Sequence, residues 1–434
     1  MSATSRKRVN RASSILRGRI MRSKRPLLFA FAILTLATPL MAESKYKVLH
    51  MFGQGTDGSA PLGSVVFDAS GNLYGATGGG GAHGYGTVFE LVPNANGTWS
   101  EALLHSFDNN GQDGIGPTGG LIFDSAGNVY GTTVEGGKSG THCLSLGCGT
   151  VFELSPQAGG GWTEKVLHDF KDNGEDGYIP YAGLVIDAAG NLYGTTWSGG
   201  ADLWGTVFEL TPQAGGVWAE KILHNFKDNG EDGSSPFAGL VFNGTGDLYG
   251  TTWIGGSFGG GTVFELTPTA KGGWTEKVVY NFNDEGSATF AGITFDGDDV
   301  IYGTTTYGGI SNAGTAFQLT HKAGTGWTEK VLHDFGDASG DGTHPSVGLT
   351  FAASGDLYGT TEQGGQWEGG TLFHLTRGSG GRWTETIPHS FGQQADDDAN
   401  TPDGSLISDH AGNLYGTASK GGTYNGGNVF EFTP

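Results

Sequence analysis

A Tyr-Gly pair recurs seven times inside a β-strand pattern, and its spacing constrains the fold more than any other feature. The pairs begin at Tyr74, Tyr130, Tyr193, Tyr249, Tyr302, Tyr358 and Tyr415, with steps of 56, 63, 56, 53, 56 and 57 residues. A repeat of this length is too long for most helical or leucine-rich units and fits a four-stranded propeller blade with long loops. The sequence therefore predicts a protein built from tandem β-repeats.

Each repeat contains four short apolar runs, A to D, separated by Gly, Pro, Asn and Asp. In one copy they are residues 182–187 (AGLVID), 191–196 (NLYGTT), 205–211 (GTVFELT) and 218–226 (WAEKILHNF). Runs rich in Val, Ile, Tyr, Phe and Thr between turn residues are typical of β-strands. The 82 glycines alone would also suit a disordered chain, but apolar runs in every repeat oppose that interpretation.

The two ends of the chain carry complementary parts of one repeat. Residues 46–52 (YKVLHMF) match only run D, and residues 428–434 (NVFEFTP) match only run C. We therefore predict an all-β fold, a seven-bladed β-propeller of four-stranded blades, in which the N-terminal strand completes the last blade. A linear β-solenoid, the alternative, would leave both partial repeats with unpaired backbone groups.

The first 42 residues have a different composition. They hold nine Lys or Arg residues and no Asp or Glu, followed by an apolar run at 27–40 and a plausible cleavage position at Ala42. This layout predicts a signal peptide over 1–42, with Met21 as an alternative start, and a propeller over 43–434. The mature protein is expected to be secreted, periplasmic or on the cell surface, monomeric, and without a transmembrane segment.

The charge of the mature chain excludes several classes of partner. Without the leader, 14 basic and 44 acidic residues remain, a formal charge of −30. Nucleic acid and other polyanions are therefore not expected to bind. Only Arg377 and Arg382 remain as arginines, too few for the cluster with which sialidases bind a carboxylate. The same charge disfavours the anionic cofactor of quinoprotein dehydrogenases.

Cys143 and Cys148 are the only cysteines and lie in the one repeat that is lengthened to 63 residues. In an oxidising compartment this spacing predicts a disulfide that closes the insertion. The alternative is a metal site with His142, which lacks a visible fourth ligand.

Side chains that recur in every repeat are predicted to be architectural. Tryptophan opens run D at Trp99, Trp162, Trp218, Trp274, Trp327 and Trp383, and histidine recurs later in run D at His50, His105, His168, His224, His333 and His389. Tyr280 occupies the seventh histidine position, so a structural role is expected for this set rather than metal binding or catalysis.

Other aromatic residues vary between repeats and lie in the Gly-rich loops between runs B and C. They are Trp197, Trp204, Trp253, Phe258, Tyr307, Trp367 and Tyr424, with Tyr85 beside them. In a propeller these loops share one face with the crossings from run D to the next run A, because strands alternate in direction. We predict that this aromatic set binds ligand.

The D–A crossings on that face are rich in acids. Two of them read DNGED, with Asp172 and Asp176 in one and Asp228 and Asp232 in the other. Such oxygen-rich loops can hold Ca²⁺, although the spacing differs from that of an EF-hand. The alternative is that the Asp and Asn side chains only shape the turn.

The repeat resembles the GloVer tandem-repeat family, also described as choice-of-anchor proteins of environmental bacteria. The resemblance rests on units such as residues 182–196 (AGLVIDAAGNLYGTT) and 205–221 (GTVFELTPQAGGVWAEK), and covers residues 46–434. It implies a repeated β-domain on exported proteins and brings no catalytic residues. No anchor follows Pro434, so the resemblance predicts export without predicting attachment.

These observations favour a secreted, non-enzymatic binding or scaffold propeller that recognises a neutral polysaccharide or cell-surface glycan through an aromatic and acidic face. Ca²⁺ is the one cofactor that the acidic crossings suggest. The alternative is a carbohydrate-active enzyme, a glycoside hydrolase or lyase that uses two carboxylates. A purely structural module is the third interpretation. No catalytic residue can be named from the sequence, because it does not say which acids lie close together.

Overall fold

The computed structural model describes residues 45–434, except 139–142, 144–145, 284–285, 288, 298, 325 and 394–397. The described residues form strands and turns and contain no helix, so none of them forms a membrane-spanning helix. The strands build seven blades around one axis, which confirms the predicted all-β seven-bladed propeller. The predicted signal peptide lies outside the described residues.

Six blades are continuous in sequence, and their four strands A to D pair in order as antiparallel neighbours. Blade 1 contains Val66–Phe67, Leu73–Thr77, Thr87–Pro93 and Trp99–Ser106; blade 2 Ile122–Phe123, Val129–Thr133, Thr150–Pro156 and Trp162–Asp169; blade 3 Val185–Ile186, Leu192–Thr196, Thr206–Pro212 and Trp218–Asn225. Blade 4 contains Val241–Phe242, Leu248–Thr252, Thr262–Pro268 and Trp274–Asn281; blade 5 Thr294–Phe295, Ile301–Thr305, Thr315–Lys322 and Gly326–Asp334; blade 6 Thr350–Phe351, Leu357–Thr361, Thr371–Arg377 and Trp383–Ser390.

Blade 7 joins the two ends of the propeller. Its strands A to C are Ile407–Ser408, Leu414–Gly421 and Asn428–Thr433, and its strand D is Lys45–Met51. The first and last strands pair antiparallel, with Tyr46 opposite Phe432 and Met51 opposite Asn428. The predicted closure is confirmed, and it removes the sheet edge that an open blade would expose.

Short ladders connect each D–A crossing to the following B–C loop. They pair Gly58–Ser59 with Gly79–Gly80, Gly114–Ile115 with Glu135–Gly136, Gly177–Tyr178 with Ser198–Gly199, Gly233–Ser234 with Ile254–Gly255, Gly286–Ser287 with Tyr307–Gly308, Gly342–Thr343 with Gln363–Gly364, and Ala399–Pro402 with Leu414–Gly421. These pairings place the two kinds of loop on one face of the disc, as the sequence predicts. We call it the loop face.

The core lies between blades. Strand C is buried on both sides: in blade 3, Val207, Phe208 and Leu210 are fully buried, which explains its nearly continuous apolar run. Tryptophans at the start of strand D cross the interface; Trp218 of blade 3, for example, packs against Tyr130 of blade 2 with ring centroids 6.2 Å apart. This contact fits the structural role predicted for the recurring tryptophans.

Buried threonine hydroxyls link neighbouring blades near the axis. Thr195 Oγ1 of blade 3 donates to the Ala238 carbonyl of blade 4 at 3.0 Å, and four other interfaces repeat this bond. Such bonds satisfy backbone carbonyls that no strand partner reaches. They make the first threonine of the Tyr-Gly-Thr-Thr motif an interface residue.

Cys143 and Cys148 form the predicted disulfide, with their Cα atoms 5.1 Å apart. Cys148 is buried and packs in the core between blades 2 and 3. Because both sulfurs are in the disulfide, they are not free to bind a metal as thiolates. His142, the third residue of that alternative, lies outside the described residues.

Candidate functional site at the channel mouth

The seven blades meet at a cavity of about 520 Å³ on the axis. A proline precedes strand A in every blade except blade 5, where Thr289 takes its place. The residue that follows this proline or Thr289 is the one that each blade contributes to the cavity. These seven residues are Leu62, Thr118, Tyr181, Phe237, Phe290, Ser346 and Asp403, and all of them line the cavity. We call this cavity the channel mouth and these seven residues the mouth ring. It differs from blade to blade, although the glycines and apolar residues beside it recur.

The backbone on either side of the proline positions the mouth ring. Ile179 has φ of 60°, a left-handed conformation that is costly for a β-branched residue. Its N–H donates to the Cys148 carbonyl at 2.9 Å, and its own carbonyl accepts from the Trp197 N–H at 3.0 Å. Ser235 repeats the arrangement in blade 4, with φ of 55°. These bonds hold the residue two positions before the mouth residue against the B–C loops of its own blade and of the preceding blade.

Five aromatic rings from blades 3 to 5 form a continuous wall at the mouth. Tyr181 and Phe237 are stacked with centroids 4.4 Å apart, and Phe237 meets Phe290 at 4.9 Å. Trp253 packs against Phe290 at 5.4 Å and against Trp197 at 6.5 Å, and Trp197 returns to Tyr181 at 6.1 Å. The indole N–H of Trp197 is buried and donates no hydrogen bond within the described part of the chain. We call these five residues the aromatic wall.

Blades 6 and 7 contribute polar groups to the same cavity. Glu362 and Asp403 both line it, and Ser419 donates a hydrogen bond to Asp403. Burial raises the pKa of Asp403 to about 7, and the charge of Glu362 acts in the same direction, while the Ser419 bond and Lys420 oppose it. Asp403 is therefore a mixture of acid and carboxylate near neutral pH. Glu362 and Asp403 are named the carboxyl pair below.

The mouth consequently has two chemically different sides. The aromatic wall offers flat apolar surface, whereas the carboxyl pair and Ser346 offer donors and acceptors. Aromatic rings with a few polar groups are typical of sites for small ligands. A buried carboxyl group with a raised pKa is also typical of general acids, since its proton remains bound at neutral pH.

The structure divides the predicted ligand-binding aromatics into two groups. Trp197 and Trp253 are half-buried and belong to the aromatic wall. The remaining residues are exposed on separate B–C loops: Trp204, Phe258, Tyr307, Trp367 and Tyr424. Among the described residues, the ring contact found for this outer group joins Tyr307 to His344 at 5.3 Å. The outer five are spread over blades 3 to 7.

Sequence reasoning missed five residues of the site: Tyr181, Phe237, Phe290, Glu362 and Asp403. A signal for three of them was present, because the residue after the proline changes in every repeat. Trp197, Trp253 and Glu362 likewise share one position, directly after the Tyr-Gly-Thr-Thr motif. A comparison of single positions across repeats would have found Tyr181, Phe237 and Asp403 in one set and Glu362 in the other. The comparison of whole loops found Trp197 and Trp253 alone.

The four predicted calcium ligands lie in two environments. Asp176 and Asp232 are buried, and each contacts a histidine Nε2, at 3.1 Å from His168 and 2.9 Å from His224. Asp172 is half-buried and Asp228 is exposed. The Asn173 side chain accepts hydrogen bonds from the Glu175 and Asp176 N–H groups, which is the turn chemistry of the alternative interpretation. Calcium binding stays a prediction.

The sequence matches the model of the Gloeobacter/Verrucomicrobia repeat over residues 35–241, 141–328 and 297–434. The chain belongs to this family. The match agrees with the resemblance drawn from the repeat units. No curated protein shows significant sequence similarity to the family member described here.

Solved structures with a similar fold include an extracellular domain and an ancestral enzyme. The extracellular domain of a hybrid two-component system from B. thetaiotaomicron is 12% identical, with a TM-score of 0.54; the match covers 89% of this chain and 39% of that one. An ancestral GH74 enzyme is 13% identical, with a TM-score of 0.56, and the match covers 90% of this chain and 51% of that one. The chain thus spans about half or less of these proteins, and the similarity establishes the propeller fold alone.

Proposed function

We propose that the protein is an exported, non-enzymatic binding module that holds a neutral glycan at the channel mouth. The observation that supports this best is one cavity lined both by Tyr181, Phe237 and Phe290 of the aromatic wall and by the carboxyl pair. Sugar rings present C–H groups on their faces and hydroxyls at their edges. The faces would stack on Tyr181 and Phe237, while the hydroxyls would hydrogen-bond with Asp403 and Glu362.

The charge of the protein favours an uncharged ligand. An acidic sugar would meet the carboxyl pair and the net negative charge of the chain, and both interactions are repulsive. A neutral sugar meets no such cost, and its hydroxyls can donate to a carboxylate or accept from a carboxylic acid. The cavity of about 520 Å³ lies within the usual range for small-ligand sites.

A polysaccharide would extend from the mouth across the loop face. Trp204, Phe258, Tyr307, Trp367 and Tyr424 lie on that face and would supply further stacking positions. The disulfide and the extracellular location of one structurally similar domain support export. Calcium at the D–A crossings would bridge hydroxyls in the same region, and testing glycan binding with and without a chelator examines that prediction.

A glycan array on the tag-free mature protein, followed by calorimetry on the best neutral ligand, tests the proposal. Phe237→Ala should weaken binding at least tenfold, because it removes the centre of the aromatic wall. Asp403→Asn, which preserves shape, should also weaken binding by several-fold. Val217→Ala is the control, since Val217 is 64% exposed in a C–D turn away from the loop face. Equal binding by all four proteins, or no binding to any neutral glycan, would contradict the proposal.

The second candidate is a glycoside hydrolase or lyase that uses the carboxyl pair. The specific observation in its favour is the raised pKa of Asp403 beside Glu362, since one protonated and one ionised carboxyl group perform glycoside hydrolysis. The bound glycan should then acquire new chain ends on incubation with the protein. Asp403→Asn should abolish their formation, whereas a pure binding module releases none.

A further inference from the structure

We propose that the interfaces between blades bind divalent transition-metal ions of the zinc type, each held by one histidine, one aspartate and one glutamate. Four such groups occur among the residues that the structure describes: His50–Asp57–Glu101, His168–Asp176–Glu220, His224–Asp232–Glu276 and His333–Asp341–Glu385. In each group, one ligand atom from every residue lies within 4.8 Å of the other two. We call these groups the interblade triads. They lie apart from the channel mouth and are independent of glycan binding.

The propeller assembles each triad from three places in the repeat. The histidine lies near the end of strand D, the aspartate lies in the crossing that follows, and the glutamate comes from strand D of the next blade, two residues after its tryptophan. The pairing register shifts just before each histidine, as at Val207 and Phe208 opposite His224 and Ile222. Such a β-bulge redirects the next side chain, here toward the adjacent blade.

The distances within two triads fit a tetrahedral ion. His333 Nε2 lies 3.4 Å from Asp341 Oδ2 and 3.6 Å from Glu385 Oε2. In the second triad, His168 Nε2 lies 3.1 Å from Asp176 Oδ2 and 3.6 Å from Glu220 Oε1. Zinc binds N and O ligands at about 2.0–2.2 Å, which places neighbouring ligands of a tetrahedron roughly 3.3–3.6 Å apart. An ion would therefore need little movement of these side chains.

Unsatisfied polar atoms at the same place provide a second, independent observation. The Asp341 side chain is only 3% exposed, and its Oδ1 atom accepts no hydrogen bond within the described part of the chain. Glu385 Oε1 likewise accepts no hydrogen bond there, and His333 Nε2 is buried with carboxylate oxygens of both residues as its neighbours. Burying two carboxyl groups and an imidazole in this way is costly. A divalent cation would satisfy all three and neutralise both carboxylates.

The ligand types select the class of ion. Calcium prefers six to eight oxygen ligands, whereas one imidazole nitrogen with two carboxylates suits zinc and its neighbours among the transition metals. Three protein ligands leave a fourth position for water. Asp176 and Asp232, predicted from sequence as calcium ligands, thus belong to triads whose chemistry favours zinc. The recurring histidines, expected to be purely architectural, gain a second role.

Blade 4 provides a natural control for removing the histidine. Tyr280 replaces it there, and the Tyr280 hydroxyl donates to Glu329 Oε2 of blade 5 at 2.8 Å. A tyrosine at this position therefore maintains contact between blades without supplying a nitrogen ligand. His333→Tyr should fold for the same reason.

The test is titration of the tag-free, chelator-treated mature protein with Zn²⁺ by calorimetry and with Co²⁺ by visible absorbance, near pH 7. Wild type should bind up to four ions, one for each triad. His333→Tyr should lose one ion and keep the melting temperature of the metal-free protein. His83→Tyr should lose none, because His83 is a surface histidine with a side chain 49% exposed and 3.8 Å from Asp108.

Three results would overturn the proposal: no binding of Zn²⁺ or Co²⁺, the same stoichiometry in His333→Tyr and wild type, or binding of Ca²⁺ in place of Zn²⁺. The last result would instead support the calcium prediction. Should His333→Tyr fail to fold, Glu385→Gln provides the second variant. It preserves the shape of the side chain, removes one anionic ligand, and should weaken one of the four sites at least tenfold.

Discussion

The interfaces between blades and the channel mouth come from the same repeat but differ in how strictly they repeat. At the interfaces, a tyrosine of one blade meets the strand-D tryptophan of a neighbour with centroids 5.9 to 6.5 Å apart, in five copies. At the mouth, seven equivalent positions hold Leu, Thr, Tyr, Phe, Phe, Ser and Asp. An interface residue meets the same kind of neighbour in each copy, so the same residue type recurs there. A mouth residue faces a shared cavity and is free to differ.

This contrast separates the residues that hold the blades together from those that we propose to bind ligand. Substitutions in the repeated layer should affect stability at one interface, since each blade packs mainly on its two neighbours. Substitutions at the mouth should affect ligand binding, because the aromatic wall and the carboxyl pair arise only where the repeats diverge.

Deleting Lys45–Met51 should open the propeller and cause the largest loss of stability. The deletion removes strand D of blade 7, which pairs with Asn428–Thr433 and packs between blades 7 and 1. Asn428–Thr433 would then be left as an unpaired sheet edge at the seam. We expect loss of the single cooperative thermal transition, with aggregation detected by light scattering.

A relocated strand provides the control for this deletion. Residues 44–52 would be joined after Pro434 through the five-residue QAGGV turn, residues 213–217, that connects strands C and D in blade 3; starting at residue 44 keeps Lys45 opposite Thr433. This variant restores the C–D hairpin found in the other blades and should regain the cooperative transition. If the deleted protein melts like wild type as a monomer, the terminal strand does not hold the propeller closed.

Trp218→Ala should destabilise the protein by about 2–4 kcal/mol, because it creates a cavity beside Tyr130 at the interface of blades 2 and 3. Trp204→Ala removes the same side chain from an exposed loop and should cost less than about 0.5 kcal/mol. The free energy of unfolding in urea measures both. Similar losses of unfolding free energy in the two variants would mean that Trp204 is also part of the core. The distinction between interface and loop tryptophans would then be wrong.

The fold could be predicted from sequence because its three main signals can be read from the order of residues alone. These signals are the repeat period, the strand pattern and the two partial repeats. The closure of blade 7 followed from matching residues 46–52 and 428–434 to different parts of one repeat. The placement of D–A crossings and B–C loops on one face followed from strand alternation. None of these inferences needed knowledge of a distance between blades.

The site was predicted only in part, since it depends on distances across the axis. Sequence reasoning identified Trp197 and Trp253 but not Phe290 or Tyr181, which contact them from blades 5 and 3. Sequence reasoning also did not predict the contact between His333 and Glu385, because this contact depends on a β-bulge and on the stagger between adjacent blades. The raised pKa of Asp403 depends on burial, which no pattern of residue types specifies.

Asp403→Asn should make the stability of the protein less dependent on pH. Burial raises the pKa of Asp403 from its usual 3.8 to about 7, so its folded form binds a proton more tightly than its unfolded form. Its contribution is therefore complete at low pH and is lost as the pH rises through about 7. Relative to wild type, Asp403→Asn should gain roughly 2–4 kcal/mol between pH 5 and pH 8.

Denaturant unfolding of both proteins at the two pH values measures this difference. Other buried carboxyl groups, such as Glu164 with a pKa of about 7 caused mainly by burial, affect wild type and variant equally and cancel. A constant difference between the two proteins would show that Asp403 ionises freely in the folded state. The carboxyl pair would then lose its role as a donor at neutral pH.

The smallest effect on stability is expected at the outer aromatics, where Trp367→Ala should change the free energy of unfolding by less than about 0.5 kcal/mol. Trp367 is 46% exposed on the B–C loop of blade 6, on the same side of the propeller as the carboxyl pair. If a polysaccharide extends from the mouth over the loop face, this variant should weaken binding of long oligosaccharides by several-fold and leave short ones unaffected. Calorimetry with a length series of one neutral glycan distinguishes these cases, because only chains that reach beyond the cavity can contact the outer loops. Equal weakening for all lengths would place Trp367 within the primary site, and no effect at any length would confine recognition to the mouth, where the repeats differ most.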